Sequence, residues 1–229
     1  MKRLYFFLAL VATLCLCGSS LHAQHASFAN YKRYHEANLK LPEPTRKECR
    51  VVFLGNSITD NWARMRPDFF APNGFVGRGI SGQTTYQFLL RFREDVINLH
   101  PRVLVLNGGT NDIAENTGPY DEDITFGNIC SMVELARYHK IRVVLTSLLP
   151  AGSFPWRREI EDSMEKIRRL NARIKAYAEE HHLTYVDYFT LLLSDDGTAL
   201  RADYSSDGVH PNVAGYEVME ALVLRALKK

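Results

Sequence analysis

A serine, a histidine and an aspartate, in two distant segments of the chain, could together carry out nucleophilic catalysis. Ser57 lies in Gly-Asn-Ser-Ile-Thr-Asp, directly after an apolar run, so its hydroxyl is expected at a strand-to-helix junction. Asp207 and His210 flank a Gly-Val pair, a spacing that can turn both side chains to the same side. An imidazole held by a carboxylate at one nitrogen can use the other to deprotonate a serine. A helix-capping serine is the alternative interpretation of Ser57.

Two more segments contain groups that could stabilise negative charge. Gly82, in Ser-Gly-Gln-Thr, allows a backbone N–H to approach a substrate oxygen because glycine has no side chain. Asn111, in Gly-Gly-Thr-Asn-Asp, can offer an amide N–H to a developing oxyanion, whereas Asp112 is expected to support the loop. An ordinary glycine turn and turn-forming polar residues are the alternative interpretations.

The candidate residues follow apolar runs that could position them as strands. Runs rich in Val, Ile and Leu lie at residues 50–54, 103–106, 142–148 and 183–186, with a weaker run at 74–79. The main runs lack alternation, which is typical of strands covered on both faces. Helical periodicity lies between them, at residues 84–99, 124–138, 160–178 and 212–226. Such alternation predicts an α/β fold, a three-layer α/β/α sandwich around a mostly five-stranded parallel sheet.

In open parallel sheets, ligands bind at the carboxyl ends of the strands, where Ser57, Gly82 and Asn111 are expected. Taken in order, the four segments resemble the sequence blocks of the SGNH hydrolases, also called GDSL esterases and lipases. The resemblance covers about residues 51–221 and is nearest to members like the platelet-activating-factor acetylhydrolase subunits. Asn56 and Ile58 stand where the family's Gly-Asp-Ser-Leu has Asp and Leu. The absence of Gly-x-Ser-x-Gly around Ser57 argues against the α/β-hydrolase class.

The resemblance implies both a fold and a set of roles. The implied fold is the flavodoxin-like α/β/α sandwich. The implied catalytic residues are Ser57 as nucleophile, His210 as base and Asp207 as the group that orients the histidine. The implied oxyanion hole consists of the backbone amides of Ser57 and Gly82 and the side chain of Asn111.

The N-terminal residues have the pattern of a secretory signal peptide. Lys2 and Arg3 precede an apolar stretch at residues 4–17, and cleavage is expected after Ala23. The stretch is shorter than the roughly 18 residues of a transmembrane helix, so a retained anchor is the less favoured alternative. We therefore expect export to the periplasm or the extracellular space. An N-terminal helix, at residues 31–39, and a connector are expected within 24–45, and one hydrolase domain at 46–229.

Charge and cysteine content narrow the classes of partner. Removal of residues 1–23 takes away two of the 28 basic residues and none of the 26 acidic ones, so the formal net charge falls from +2 to zero. A neutral surface disfavours nucleic acid and anionic membranes as partners. Cys49 and Cys130 then remain, and they could form a disulfide or stay free. The adjacent His181 and His182 lack the spacing of metal ligands, so no metal site and no cofactor are expected.

Three aromatic residues are candidates for substrate contact. Trp62, Phe154 and Trp156 lie in segments after the first and fourth strands, where they could contact a sugar ring or an acyl group, or simply pack the loops. A domain without an evident lid favours short acyl groups, above all acetyl, on a carbohydrate or another small extracellular ester.

Several alternatives to an acetylesterase are left open by the sequence. A lysophospholipase or a thioesterase would use the same fold. Transfer of the acyl group to an acceptor other than water would use the same acyl-enzyme. A non-catalytic glycan-binding protein is the alternative from another class. The sequence gives neither the alcohol part of the ester nor the oligomeric state.

Overall fold

The structure is a computed structural model that describes residues 28–45 and 47–228. The expected signal peptide, residues 1–23, lies outside the described residues. Helix α1, Lys32–Lys40, coincides with the helix predicted at 31–39 to within one residue at each end. Residues 41–44, which contain two prolines, continue from α1 without regular structure.

Five parallel strands form one sheet. The strands are β1 (Val51–Gly55), β2 (Phe75–Gly79), β3 (Val103–Leu106), β4 (Arg142–Thr146) and β5 (Thr184–Val186). Their spatial order is β2-β1-β3-β4-β5, and every neighbouring pair runs parallel. This is the flavodoxin-like order, so the predicted α/β/α fold is confirmed. The strand order reverses between β1 and β3, which places a ligand-binding crevice at their carboxyl ends.

Helices cover both faces of the sheet. The remaining α-helices are α2 (Ser57–Met65), α3 (Pro67–Phe70), α4 (Thr85–Asp95), α5 (Thr110–Ile113), α6 (Glu122–Tyr138), α7 (Ser163–Glu180), α8 (Phe189–Leu192) and α9 (Val213–Leu227). The short helices α3, α5 and α8 were not predicted, because four residues are too few to show a helical period.

Alternating strand residues divide the core into two layers. Val52 and Leu54 of β1 pack with α4, α6 and α7, whereas Val51 and Phe53 pack with α2, α3 and α9. Both faces of β1 are therefore buried, which explains why its sequence is continuously apolar. Burial on both sides fixes the strand and, with it, the turn that follows Gly55.

The helix predicted at residues 84–99 is shorter than expected. α4 ends at Asp95, Val96 leaves the helical conformation, and Ile97–Leu99 form a separate 3₁₀ turn. His100 then has a φ of 48°, in the left-handed region. Pro101 disfavours the right-handed helical region only at His100. It therefore accounts for the end of the 3₁₀ turn and not for the end of α4 at Asp95.

Candidate active site

Ser57 is the first residue of α2, immediately after the turn that ends β1. The helix is capped by Asn56, whose Oδ1 accepts a hydrogen bond from the Ile58 N–H at 3.0 Å. Ser57 is therefore not the capping residue, and its hydroxyl remains available. Gly55 makes the tight turn possible, since a Cβ there would lie 2.1 Å from Oγ1 of Thr59. The side chain of Ser57 consequently stands at the carboxyl end of the central strand.

The structure brings Ser57, His210 and Asp207 together although more than half of the chain separates the serine from the other two. Oγ of Ser57 lies 2.8 Å from Nε2 of His210. Nδ1 of the same ring lies 2.7 Å from Oδ2 of Asp207. Because Nδ1 faces a carboxylate, the proton of a neutral ring belongs on Nδ1, and Nε2 can accept the serine proton.

The second oxygen of Asp207 is held by its own loop. Oδ1 accepts hydrogen bonds from the N–H groups of Val209 at 2.9 Å and His210 at 2.8 Å, and the Ser205 hydroxyl lies 3.1 Å away. Partial burial alone would raise the pKa of this carboxyl, but the hydrogen bonds from the His210 backbone and ring and from Val209 outweigh it. They lower the pKa of Asp207 to about 2. Asp207 is therefore a carboxylate at neutral pH.

Gly82 and Asn111 line the same cleft as Ser57. Residues 80–83 form a turn closed by the hydrogen bond from Gln83 N–H to Ile80 O at 3.3 Å, and Gly82 within it has a φ of 80°. A positive φ at the third position is typical of type II turns, which favour glycine there. The Asn111 amide donates to Gln83 O at 2.9 Å, so it is tied to the same turn.

These residues line one open cleft of about 360 Å³. Its lining consists of Ser57, Asn61, Ser81, Gly82, Asn111, Asn116, Trp156 and His210. The Ser57 N–H belongs to the first turn of α2 and so has no acceptor within that helix. Ser57, Gly82 and Asn111, the residues expected to form the oxyanion hole, therefore line one cleft.

Asp112 connects the loop after β3 to the start of α4. Its carboxylate accepts hydrogen bonds from the Thr85 backbone N–H at 3.1 and 3.0 Å and from the Thr85 hydroxyl. Thr85 begins α4, so Asp112 fixes the start of that helix against the β3 loop. Burial raises the pKa of Asp112 to about 6, although the hydrogen bonds from Thr85 act in the opposite direction. Asp112 therefore supports the loop, as expected, and it does so through Thr85.

Two of the three aromatic candidates lie in the core and not in the cleft. Trp62 is 2% exposed and stacks between Phe69 and Tyr216, and Phe154 is 0% exposed. Their expected role as substrate contacts is therefore wrong: α2 turns Trp62 toward the sheet, and the β4–α7 loop buries Phe154. Trp156 differs, because it is 42% exposed and lines the cleft beside His210.

Sequence reasoning missed two residues that organise the site. Arg91 is 0% exposed and donates to the carbonyl oxygens of Gly55 and Arg78 and to the Gln83 side chain. Asn116 joins Trp156 to Gly82. The sequence did contain a signal for Arg91. It lies between Phe88 and Phe92 in a helical pattern, four residues before Asp95, with which it can form an ion pair. No pattern in the sequence marked Asn116.

Other sequence expectations concern cysteines, metals and membranes. Cys49 and Cys130 are free, so the structure favours unpaired thiols over a disulfide. Among residues 28–45 and 47–228, His, Cys, Asp and Glu side chains form no group able to hold a metal ion. Over the same described ranges, each helix is too short or too polar to cross a membrane.

Comparisons with known proteins agree with the fold and the motif order. The model of the GDSL-like Lipase/Acylhydrolase family matches residues 53–218. The crystal structure of a GDSL-like lipase from Bacteroides thetaiotaomicron VPI-5482 is similar, with a TM-score of 0.87 and 59% sequence identity. That similarity covers 88% of this chain and 98% of the other.

Two curated relatives are more distant. The platelet-activating factor acetylhydrolase IB subunit beta homolog of Drosophila melanogaster is 27% identical over 62% of this chain and 60% of its own length. The acetylxylan esterase of Xylanibacter ruminicola is 22% identical over 88% of this chain and 49% of its own length. The chain therefore spans about half to three fifths of these relatives.

Proposed function

The chain belongs to the GDSL-like lipase/acylhydrolase family, and we propose that it is an exported serine esterase that removes short acyl groups, above all acetyl, from carbohydrates. The observation that carries this proposal is the continuous hydrogen-bonded line Ser57–His210–Asp207 in an open cleft. A protein that only bound a glycan would have no need of a nucleophile, a base and an orienting carboxylate in contact.

In the proposed reaction, Oγ of Ser57 attacks the ester carbonyl carbon while its proton passes to Nε2 of His210. The carbonyl oxygen becomes an oxyanion that accepts hydrogen bonds from the amides of Ser57 and Gly82 and from the Asn111 side chain. The bond to the alcohol oxygen then breaks, and His210 returns the proton to that oxygen. Water attacks the acyl-enzyme by the same route, which releases the carboxylic acid and restores Ser57.

The size and shape of the cleft support a short acyl group. The cleft has a volume of about 360 Å³ and is open to solvent, whereas a long alkyl chain would need an enclosed apolar channel. An acetylated carbohydrate offers a small acyl group and a polar alcohol, and it fits this lining. The name of the Xylanibacter relative, acetylxylan esterase, makes acetylated xylan the first polymer to test.

The test is the hydrolysis of p-nitrophenyl acetate, butyrate and octanoate by the protein that begins at Gln24. We expect kcat/KM to fall steeply with chain length, and Ser57→Ala to abolish both turnover and labelling by an organophosphate. Ser131→Ala, which changes a serine of α6 outside the cleft, is the matched control and is expected to behave as the wild type.

Two outcomes would redirect the assignment. A preference for octanoate would indicate a lysophospholipase or a thioesterase on the same fold. A folded wild type that neither hydrolyses any ester nor reacts with the organophosphate would indicate a glycan-binding protein.

The exported location is a separate part of the proposal. It is supported by the basic, apolar and small-residue order of residues 1–23. N-terminal sequencing of the protein secreted by a host expressing the full chain is expected to begin at or within a few residues of Gln24. Recovery of the chain with Met1 still attached would contradict export by cleavage.

A further inference from the structure

Trp156 forms the part of the cleft wall that stands beside His210. It lies in the loop between β4 and α7, and its ring centroid is 6.1 Å from that of His210, with the two planes inclined by 32°. In the proposed reaction His210 returns a proton to the departing alcohol. The alcohol part of the ester must therefore lie on the His210 side of the cleft, which is the side that Trp156 lines.

The indole of Trp156 is held in place by Asn116. Nε1 of Trp156 donates to Oδ1 of Asn116 at 2.9 Å, and Nδ2 of Asn116 donates to the carbonyl oxygen of Gly82 at 3.0 Å. The neighbouring residues reinforce the link, because Arg157 donates to the Glu115 carbonyl at 2.9 Å. One asparagine side chain thus connects the tryptophan to the turn that carries the Gly82 amide.

The side chains around Trp156 in the cleft are suited to bind a pyranose ring. A pyranose has a flat face of C–H groups and a rim of hydroxyl groups, so it needs an apolar plate surrounded by hydrogen-bonding groups. Trp156 supplies an exposed aromatic plate, and Asn61 and Ser81 supply polar groups in the same cleft. An acyclic polyol ester has no flat face and gains little from such a plate.

We propose that Trp156 determines specificity for the alcohol part of the ester by stacking on a pyranose ring. Asn116 is the positioning residue that fixes both Trp156 and the Gly82 turn. This inference rests on the proposed esterase function and adds to it the class of alcohol and the residues that select it.

The first experiment compares two triacetates of similar size, one with a ring and one without. The substrates are methyl 2,3,4-tri-O-acetyl-β-D-xylopyranoside and glyceryl triacetate. We expect Trp156→Ala to lower kcat/KM for the xyloside about tenfold, mainly through KM, and to lower kcat/KM for glyceryl triacetate by a much smaller factor. Tyr138→Ala, which removes an exposed aromatic ring at the end of α6, is the matched control and is expected to change neither value.

The role of Asn116 gives a different kinetic signature. Asn116→Asp keeps an acceptor for the Trp156 indole but loses the donor to the Gly82 carbonyl. We therefore expect kcat to fall about tenfold or more for both triacetates while the preference for the ring is retained. An unchanged kcat for both triacetates would contradict the positioning of the Gly82 turn by Asn116.

The second experiment uses fluorescence and does not depend on turnover. The chain has two tryptophans, and Trp62 is buried, so quenching by acrylamide reports mainly on Trp156. In the Ser57→Ala protein, the xyloside is expected to protect the fluorescence from acrylamide, whereas glyceryl triacetate is not. The Ser57→Ala/Trp156→Phe protein should show no protection.

The two experiments separate the failure of this inference from the failure of the proposed function. If the wild type hydrolyses both triacetates, but Trp156→Ala lowers kcat/KM equally for both and the xyloside protects no fluorescence, the ring-stacking subsite is overturned and the esterase stands. If no ester is hydrolysed, the esterase proposal fails. Fluorescence protection by the xyloside would then still support Trp156 as a sugar contact.

Discussion

The guanidinium group of Arg91 donates a hydrogen bond to the carbonyl oxygen of Gly55 at 3.0 Å, two residues before Ser57. The same group donates to Arg78 O at 3.0 Å and to Oε1 of Gln83 at 2.6 Å. A single buried side chain therefore joins the carboxyl ends of β1 and β2 to the turn that carries the Gly82 amide.

Substitution of Arg91 is expected to destabilise the protein strongly. Arg91→Met would leave Asp95, which is buried and lies 2.8 Å from Nη1 of Arg91, without its charged partner. Breaking a buried ion pair in this way costs about 3–5 kcal/mol. Urea unfolding is the measurement, with Arg93→Met on the exposed face of α4 as the control. Equal stability of the two variants would show that Arg91 does not hold the site together.

Replacement of Gly82 is expected to affect activity beyond its cost in stability. A Cβ at Gly82 would meet no atom within 4 Å, so Gly82→Ala costs only the strain of a positive φ, about 1 kcal/mol. Relief of that strain would turn the Gly82 amide out of the cleft. We therefore expect kcat to fall about 10²–10³-fold, as for the loss of an oxyanion donor.

Gly74 provides the matched control for that change. Its φ is 65°, a Cβ there would also meet no atom within 4 Å, and it lies just before β2 at the opposite end of the sheet. Gly74→Ala should lose similar stability and keep full kcat. If Gly74→Ala and Gly82→Ala lose the same small amount of activity, the Gly82 amide does not contact the oxyanion.

The carboxyl of Asp207 gives the protein a specific acid sensitivity. The pKa of Asp207 in the folded protein is about 2, below its ordinary value of 3.8. A depressed pKa stabilises the fold above pH 4, and this stabilisation is lost as the pH falls through about 2. The Asp207→Asn protein is therefore expected to have a lower free energy of unfolding than the wild type at pH 5. Near pH 2 the two proteins should differ little.

The same substitution has an expected kinetic effect. Asp207→Asn replaces the carboxylate that holds His210, so kcat at neutral pH should fall by roughly 10²–10⁴-fold. Asp203→Asn, an exposed aspartate in the same segment, is the control and should keep its activity. Wild-type-like turnover by the Asp207→Asn protein would remove Asp207 from the mechanism.

The buried carboxyl of Asp112 has the opposite pH dependence. Its pKa is raised to about 6 in the folded protein, so between about pH 4 and 6 the folded state binds more protons than the unfolded state. The contribution of Asp112 to stability therefore falls as the pH rises through this window. Relative to Asp112→Asn, the wild type should lose about 1–3 kcal/mol between pH 4 and 7. A pH-independent difference in the unfolding free energy would contradict the raised pKa.

Local patterns predicted most of the framework. Continuous apolar runs indicated strands buried on both faces, and Val103–Leu106 has the predicted bounds. The apolar pattern of residues 84–99 continues through α4 and the 3₁₀ turn Ile97–Leu99, so periodicity did not reveal that α4 ends at Asp95. Four-residue helices such as Thr110–Ile113 were missed, because they contain about one helical turn and have no detectable period.

The sequence by itself determined the order of strands and helices and the four motif segments, because period and turn-forming residues are local properties of the chain. Only the tertiary structure decided which aromatic ring reaches the cleft. Trp62 and Trp156 are the same residue type, yet one is 2% and the other 42% exposed, since α2 turns the first toward the sheet. It also decided the contacts of Arg91 and Asn116. Their hydrogen-bond partners lie on other loops and strands. A hydrogen bond between two distant segments does not affect the residue pattern within either segment, so the sequence does not reveal it.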